Sequence, residues 1–341
     1  MDRIRIRGGN PLKGKITISG AKNAALPLMA ASLLSAEPLV LQNLPDLADI
    51  STMSEMLQQF GVRFAVHKEK DERSGTLQAS SITSVVAPYD LVRKMRASIL
   101  VLGPLVARAG EAKVSLPGGC ALGTRPVDLH ISGLQKMGAE IDLSEGYIIA
   151  KAPKGLHGAE IVFPQVTVTG TENLLMAACL AKGDSTLVNA AREPEVTDLA
   201  ECLQKMGAKI EGVGTDTLHV TGVSALHGAT HRIVADRIVA GTYAIAAAIT
   251  NGSLELVGAR AEHLQAALDF LKQAGAEITP TANGIAVRSA ANGIRSVDIK
   301  TEPYPGFPTD LQAQAMALMC LGDGGSTINE TIFENRFMHV P

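Results

Sequence analysis

The chain has no tryptophan, and aromatic residues make up only 3% of its 341 positions. Stacking platforms for bases or sugar rings are built from aromatic faces, so none is expected. No polybasic run occurs, and a net charge of -3 runs against a nucleic-acid binder, whose footprint is a basic face. The longest apolar stretches, at 99–107 and 244–249, fall far short of the roughly 20 residues that span a bilayer. The opening Met1-Asp-Arg-Ile-Arg-Ile-Arg7 alternates charged and apolar residues like an edge strand and lacks the apolar core of a secretion signal. A soluble cytoplasmic chain without membrane or nucleic-acid partners is expected; its oligomeric state is not legible. The four cysteines, Cys120, Cys179, Cys202 and Cys320, show no CxxC or Cys/His pairing, which excludes a zinc site or disulfide framework from the expectation. Neither metal nor organic cofactor is implied. Cys179, Cys202 and Cys320 lie in helical patterns and are expected to be buried or half-buried, inert thiols.

What the chain does have is repetition. Hydrophobic residues make up 46% of it, enough for two domains with their own cores. The phrases Leu57-Gln-Gln-Phe-Gly61, Leu134-Gln-Lys-Met-Gly138, Leu203-Gln-Lys-Met-Gly207 and Leu271-Lys-Gln-Ala-Gly275 recur with a period of about 70 residues, the mark of a repeated supersecondary unit. Each reads as an amphipathic helix ending on a glycine in the left-handed cap conformation, followed by a strand. Between them lie five stretches rich in Ala, Leu and Met, at 21–34, 96–109, 171–181, 236–249 and 310–321, each leading into a β-rich segment. Helices that are apolar nearly all round belong in the middle of a domain, so the sheets are expected outside them.

One loop stands apart. In Leu116-Pro-Gly-Gly-Cys-Ala-Leu-Gly-Thr-Arg-Pro-Val-Asp-Leu-His130, three glycines and two prolines surround a thiol, and neither helix nor long strand can run through them. Arg125 supplies a planar fork for phosphate or carboxylate. From chemistry alone, a surface loop with a free cysteine and a reactive loop are equally open.

With Ser19-Gly-Ala-Lys-Asn-Ala-Ala25, Met95-Arg-Ala-Ser98, Ala191-Arg-Glu-Pro-Glu195, Pro308-Thr-Asp-Leu-Gln-Ala-Gln314 and Glu334-Asn-Arg-Phe-Met-His339, the loop resembles the enolpyruvyl transferase (EPSP synthase) family. The resemblance implies two inside-out α/β domains of three βαββαβ-like repeats each, with the active site in the cleft between them. The first domain would be 22–234 and the second 1–21 plus 235–341. Five apolar helices and four Leu-x-x-x-Gly phrases fall short of six repeats, so the second domain is expected to lack a C-terminal repeat of about 70 to 80 residues.

The implied reaction carries an enolpyruvyl group from phosphoenolpyruvate to the 3-hydroxyl of UDP-N-acetylglucosamine and releases phosphate, a step of bacterial peptidoglycan synthesis. By resemblance, Cys120 is the proton donor and the target of the epoxide fosfomycin, and Lys22 and Asn23 hold phosphoenolpyruvate. Arg96 meets the nucleotide sugar. Arg125, Pro126, Val127, Asp128 and Leu129 contact the uridine nucleotide, as do Gln165, Val166, Thr167 and Val168, where Gln165 replaces the family's usual lysine and the nearby attraction for a diphosphate weakens. Asp310 takes the proton from the sugar hydroxyl, Arg336 neighbours it, Ile332 contacts the nucleotide and Glu193 matches another charged position of the cleft. Each polar group also has a plainer reading: Lys22 reaching to solvent, Arg96 on a solvated cationic face with Arg93 and Lys94, Asp310 capping its helix. The rivals to the implied reaction are the sister transfer to shikimate 3-phosphate and a catalytically incomplete chain that only holds the nucleotide sugar.

Overall fold

The computed structural model describes residues 3–69, 72–116 and 127–341. The chain divides into two compact units, a larger one of Gly20–Val234 and a smaller one of Met1–Ser19 with Ala235–Pro341. Among the described residues there are ten α-helices: α1 (Lys22–Ala31), α2 (Ala48–Gln59), α3 (Tyr89–Val92), α4 (Leu102–Ala109), α5 (Asp128–Lys136), α6 (Val168–Ala178), α7 (Pro194–Lys205), α8 (Arg237–Ile249), α9 (Gln265–Gln273) and α10 (Gln312–Met319).

In the larger unit, three four-stranded sheets share one order. A first strand pairs in parallel with a second, and a third and fourth continue antiparallel. The sets are Ala229–Arg232, Leu39–Gln42, Glu72–Gln78 and Arg63–Glu69; Val86–Ala87, Glu111–Ser115, Tyr147–Lys151 and Glu140–Ser144; and Glu160–Val162, Asp184–Val188, Thr217–Thr221 and Lys209–Glu211. The smaller unit repeats the pattern in Lys13–Thr17, Ser253–Val257, Gly284–Arg288 and Glu277–Thr281, and adds a parallel pair, Ile299–Lys300 with Ile328–Asn329. Within a repeat the elements therefore run strand, helix, strand, helix, strand, strand. This differs from the βαββαβ order expected from sequence, because the apolar helix precedes the central strand and the amphipathic helix follows it.

The fold is an inside-out α/β arrangement, and burial shows why. In α1 every residue from Ala24 to the helix end is buried, and in α6 every residue from Gly170 onward, while strands such as Asp184–Val188 bury only alternate residues. A strand with one buried face closes the outside of a layer; a helix with none exposed fills its middle. α6 packs against α1, α4, α5 and α7, so it is the centre of the larger unit. The four phrase glycines, Gly61, Gly138, Gly207 and Gly275, all have φ between +91° and +101°. In every copy the residue before the glycine accepts a backbone bond from a residue some 20 positions on: Thr83 N to Phe60 O at 3.0 Å, His157 N to Met137 O at 3.0 Å, His227 N to Met206 O at 2.9 Å and Arg295 N to Ala274 O at 3.0 Å.

Three local expectations are corrected. Residues 3–7 form no strand, and Ile4 is 90% exposed; the edge position is taken by Lys13–Thr17, whose backbone reaches Ser253–Val257. Helix α6 starts three residues earlier than its apolar run, at Val168, because Thr167 caps it: Thr167 Oγ1 accepts from Gly170 N at 3.2 Å. Cys320 is exposed while Cys179 and Cys202 are buried, since it caps the C-terminal end of α10 on the face that carries Ala313 and Ala317, which are exposed too.

Candidate functional site

In the larger unit, Lys22 is the first residue of α1 and Asn23 the second. The Lys22 side chain is 43% exposed, with Nζ 3.4 Å from Asp49 Oδ2 on α2, and Asn23 is exposed beside it. The charge at the head of an apolar helix is thus neither buried alone nor free in solvent. A half-exposed ion pair adds little to stability, but it fixes where an ammonium with three donors stands.

Arg96 opens a 310 helix, Arg96–Val101, that leads into α4. It is half-buried, and its Nη1 is buried with no hydrogen-bond partner among the described residues. Arg93 and Lys94 are exposed, so the reading of Arg96 as one more solvated cation does not fit it. A guanidinium N–H removed from water without an acceptor is costly, which makes it a donor set up for an acceptor outside the described residues.

Cys120, Arg125 and Pro126 lie outside the described residues. The chain is described again from Val127, which is half-buried; Asp128, exposed, opens α5, and Leu129 follows, half-buried. Gln165 and Val166 are exposed, Thr167 caps α6 and Val168 is its first residue. Thr167 and Val168, expected to contact the nucleotide, thus stand at a helix N-terminus, where first-turn N–H groups lack intrahelical acceptors. Of these, Gly170 N is taken by Thr167 Oγ1, and the intrahelical ladder starts with Thr171 N to Thr167 O.

Behind these segments sits a polar network that the sequence reading did not single out. Asn173 on α6 is fully buried. Its Nδ2 donates to Ile99 O at 3.1 Å and to His130 Nδ1 at 2.8 Å, and its Oδ1 accepts from Gly103 N at 2.6 Å. With Nδ1 accepting, His130 carries its proton on Nε2, 3.4 Å from Thr169 Oγ1. Burial pushes the His130 pKa down to about 4, with Asp128 pulling partly the other way. Nearby, Glu172, Glu193 and Glu195 are all buried. Burial, then Glu195 and Glu193, hold the Glu172 carboxyl well above the usual carboxylate range. The signal available in the sequence was the Glu172-Asn173 pair inside an otherwise apolar helix.

In the smaller unit, Asp310 lies in a 310 turn, Thr309–Leu311, ahead of α10, and caps nothing. Its Oδ1 accepts from Arg336 Nη2 at 2.5 Å. The turn is held by Glu330, also unforeseen from sequence: its carboxylate accepts from Thr301 Oγ1 at 2.9 Å, Thr309 Oγ1 at 2.8 Å and Ile332 N at 2.8 Å. Ile332 is half-buried. One carboxylate therefore ties the Asp310 turn to the segment carrying Ile332 and Arg336.

Among the described residues no group of three or more His, Cys, Asp or Glu side chains is placed to hold a metal ion, and no helix is long and apolar enough to cross a membrane.

The family model for EPSP synthase (3-phosphoshikimate 1-carboxyvinyltransferase) matches residues 6–341. The chain is 61% identical to the UDP-N-acetylglucosamine 1-carboxyvinyltransferase of Paramagnetospirillum magneticum over all of its own length and 80% of that protein's. It is 61% identical to the protein of the same name from Rhodospirillum centenum, of which it spans 81%. Among solved structures, the enolpyruvyl transferase NikO from Streptomyces tendae superposes with a TM-score of 0.87 at 22% identity, covering 98% of this chain and 79% of that one. EPSP synthase from Acinetobacter baumannii superposes with a TM-score of 0.68 at 18% identity, covering 94% and 74%. At those identities the two structures speak for the fold.

Proposed function

The chain belongs to the EPSP synthase family and is an enolpyruvyl transferase, and we propose that its acceptor is the 3-hydroxyl of UDP-N-acetylglucosamine, its donor phosphoenolpyruvate and its second product phosphate. The observation that carries the acceptor is the 61% identity, over the whole chain, to proteins named for that transfer. Shikimate 3-phosphate as acceptor has only the family model and a neighbour at 18% identity behind it.

In this reading the Cys120 thiol gives its proton to the methylene carbon of phosphoenolpyruvate. A thiol serves as an acid near neutral pH because its ordinary pKa lies just above it. The sugar 3-hydroxyl loses its proton to the Asp310 carboxylate as its oxygen bonds to the adjacent enol carbon. The resulting tetrahedral intermediate breaks its carbon–oxygen bond to phosphate, and the Cys120 thiolate takes back a methyl proton as the double bond is restored. Lys22 and Arg125 stabilise phosphate charge, and Arg96 offers its buried donor to the nucleotide sugar. Arg336 holds the Asp310 carboxylate in one orientation through a charge-assisted bond. Asn23, residues 127–129 and 165–168, and Ile332 line the substrate contacts, and the cytoplasm is the compartment where both substrates would be met.

The deciding experiment is phosphate release by the 341-residue chain with both substrates, beside Cys120→Ala, together with the intact mass after fosfomycin. Release lost in Cys120→Ala, with one adduct on the parent chain only, is the expected result. Release with shikimate 3-phosphate in place of the nucleotide sugar would overturn the acceptor assignment. Binding of UDP-N-acetylglucosamine without release would reduce the chain to a nucleotide-sugar holder.

A further inference from the structure

Three segments of the nucleotide-sugar reading contain helix starts: Arg96 opens its 310 helix, Asp128 opens α5 and Val168 opens α6. All three helices are joined through one buried amide. Asn173 Oδ1 takes the Gly103 N–H in the first turn of α4, the continuation of the Arg96 helix. One Nδ2 hydrogen goes to Ile99 O, one 310 turn after Arg96, and the other to His130 Nδ1, in the first turn of α5. The donors and acceptor of the amide are all engaged, in a place closed to water. Replacing it with an apolar side chain strands a buried N–H and a buried imidazole nitrogen at once, and leaves Ile99 O with only the Leu102 N–H.

The backbone is shaped around the same point. A Cβ at Gly103 would fall on Asn173 Oδ1, and a Cβ at Gly133 on α5 would fall on the Leu174 side chain of α6. Both glycines permit a close approach to α6 on either side of Asn173. Arg96 meanwhile keeps a buried Nη1 with no acceptor among the described residues. Such a donor stays in place only where its helix is fixed from behind.

We infer that Asn173, through His130, Ile99 and Gly103, is a positioning residue for the nucleotide-sugar site, setting the spacing of Arg96 and the first turn of α5 against the first turn of α6. This rests on the acceptor proposed above. Asn173 touches no substrate; it acts through Arg96.

The test is a double-mutant cycle on the full chain, read as affinity for UDP-N-acetylglucosamine by titration calorimetry. Arg96→Ala is expected to weaken binding about tenfold in the parent chain and about twofold or less in Asn173→Leu, because the arginine is already displaced there. Leu199→Ala, in the core of α7, is expected to lower the melting temperature and leave affinity unchanged. This separates positioning from loss of stability. If Asn173→Leu does not fold, His130→Phe carries the same cycle. Losses that simply multiply would overturn the inference. If the parent chain binds no UDP-N-acetylglucosamine, the acceptor assignment falls, and hydrogen exchange of the ligand-free protein decides the positioning role. Faster exchange in Asn173→Leu at 97–101 and 128–132 together supports it, and change confined to the turn around residue 173 overturns it.

Discussion

His130 enters the core as a neutral imidazole, and that choice has a pH signature. Its pKa falls from the ordinary 6.5 to about 4 on folding, so between those values the unfolded chain binds a proton that the folded one refuses. The stability this contributes is fully present above about pH 6.5 and is lost as pH falls toward about pH 4, a loss of about 3 kcal/mol. Denaturant unfolding at pH 7 and pH 5 is expected to show a steeper decline in the parent chain than in His130→Phe. Equal slopes would place the protonation elsewhere. Glu172 works in the opposite sense, its raised pKa favouring the folded state at low pH. Burial likewise pushes the Cys179 and Cys202 thiols up to about 12, so neither is a nucleophile at neutral pH. The sequence offered Lys22, Arg96 and Asp310 as candidates by residue type and motif. It did not offer Asp49, the partner of Lys22, or Glu330, which bonds Thr309 beside Asp310, because those contacts join residues 20 or more positions apart with no periodic signal.

At the level of elements, the Leu-x-x-x-Gly phrase was legible because a helix cap is a local event. Gly138 has φ +91°, and a Cβ there would stand 2.8 Å from the His157 ring; Gly8 has nothing within 4 Å. Gly138→Ala is expected to cost about 1 to 2 kcal/mol from backbone strain and the displaced ring. Gly8→Ala, with no positive φ and open space, is expected to stay within about 0.5 kcal/mol. Urea titration of both variants checks the pair. The start of α6 was misread by three residues for a complementary reason. Thr167 and Val168 do not look like the opening of an apolar helix, yet the hydroxyl of one residue is enough to begin it.

For the whole molecule, two separate hydrophobic cores predict two unfolding transitions. The core of the smaller unit draws on α8, α9 and α10 and on fewer residues than that of the larger unit. Its second sheet is a parallel pair, where the larger unit has three four-stranded sheets. The smaller unit is expected to melt first in scanning calorimetry. Leu256→Ala, fully buried there, should lower only the first transition, and Leu28→Ala, fully buried in the larger unit, only the second, each by about 3 kcal/mol of unit stability. A single transition shifted equally by both variants would show one cooperative body.

Sequence alone determined the repeat, its glycine caps, the apolar helices of the interior and the family, since these follow from local propensity, periodicity and residue-by-residue likeness. Tertiary structure decided which strands share a sheet, that Glu330 holds the turn carrying Asp310, that Cys320 faces outward, and that one amide on α6 joins the helices behind Arg96 and Asp128. Those outcomes depend on which distant surfaces exclude water from one another, and a linear pattern carries no record of that.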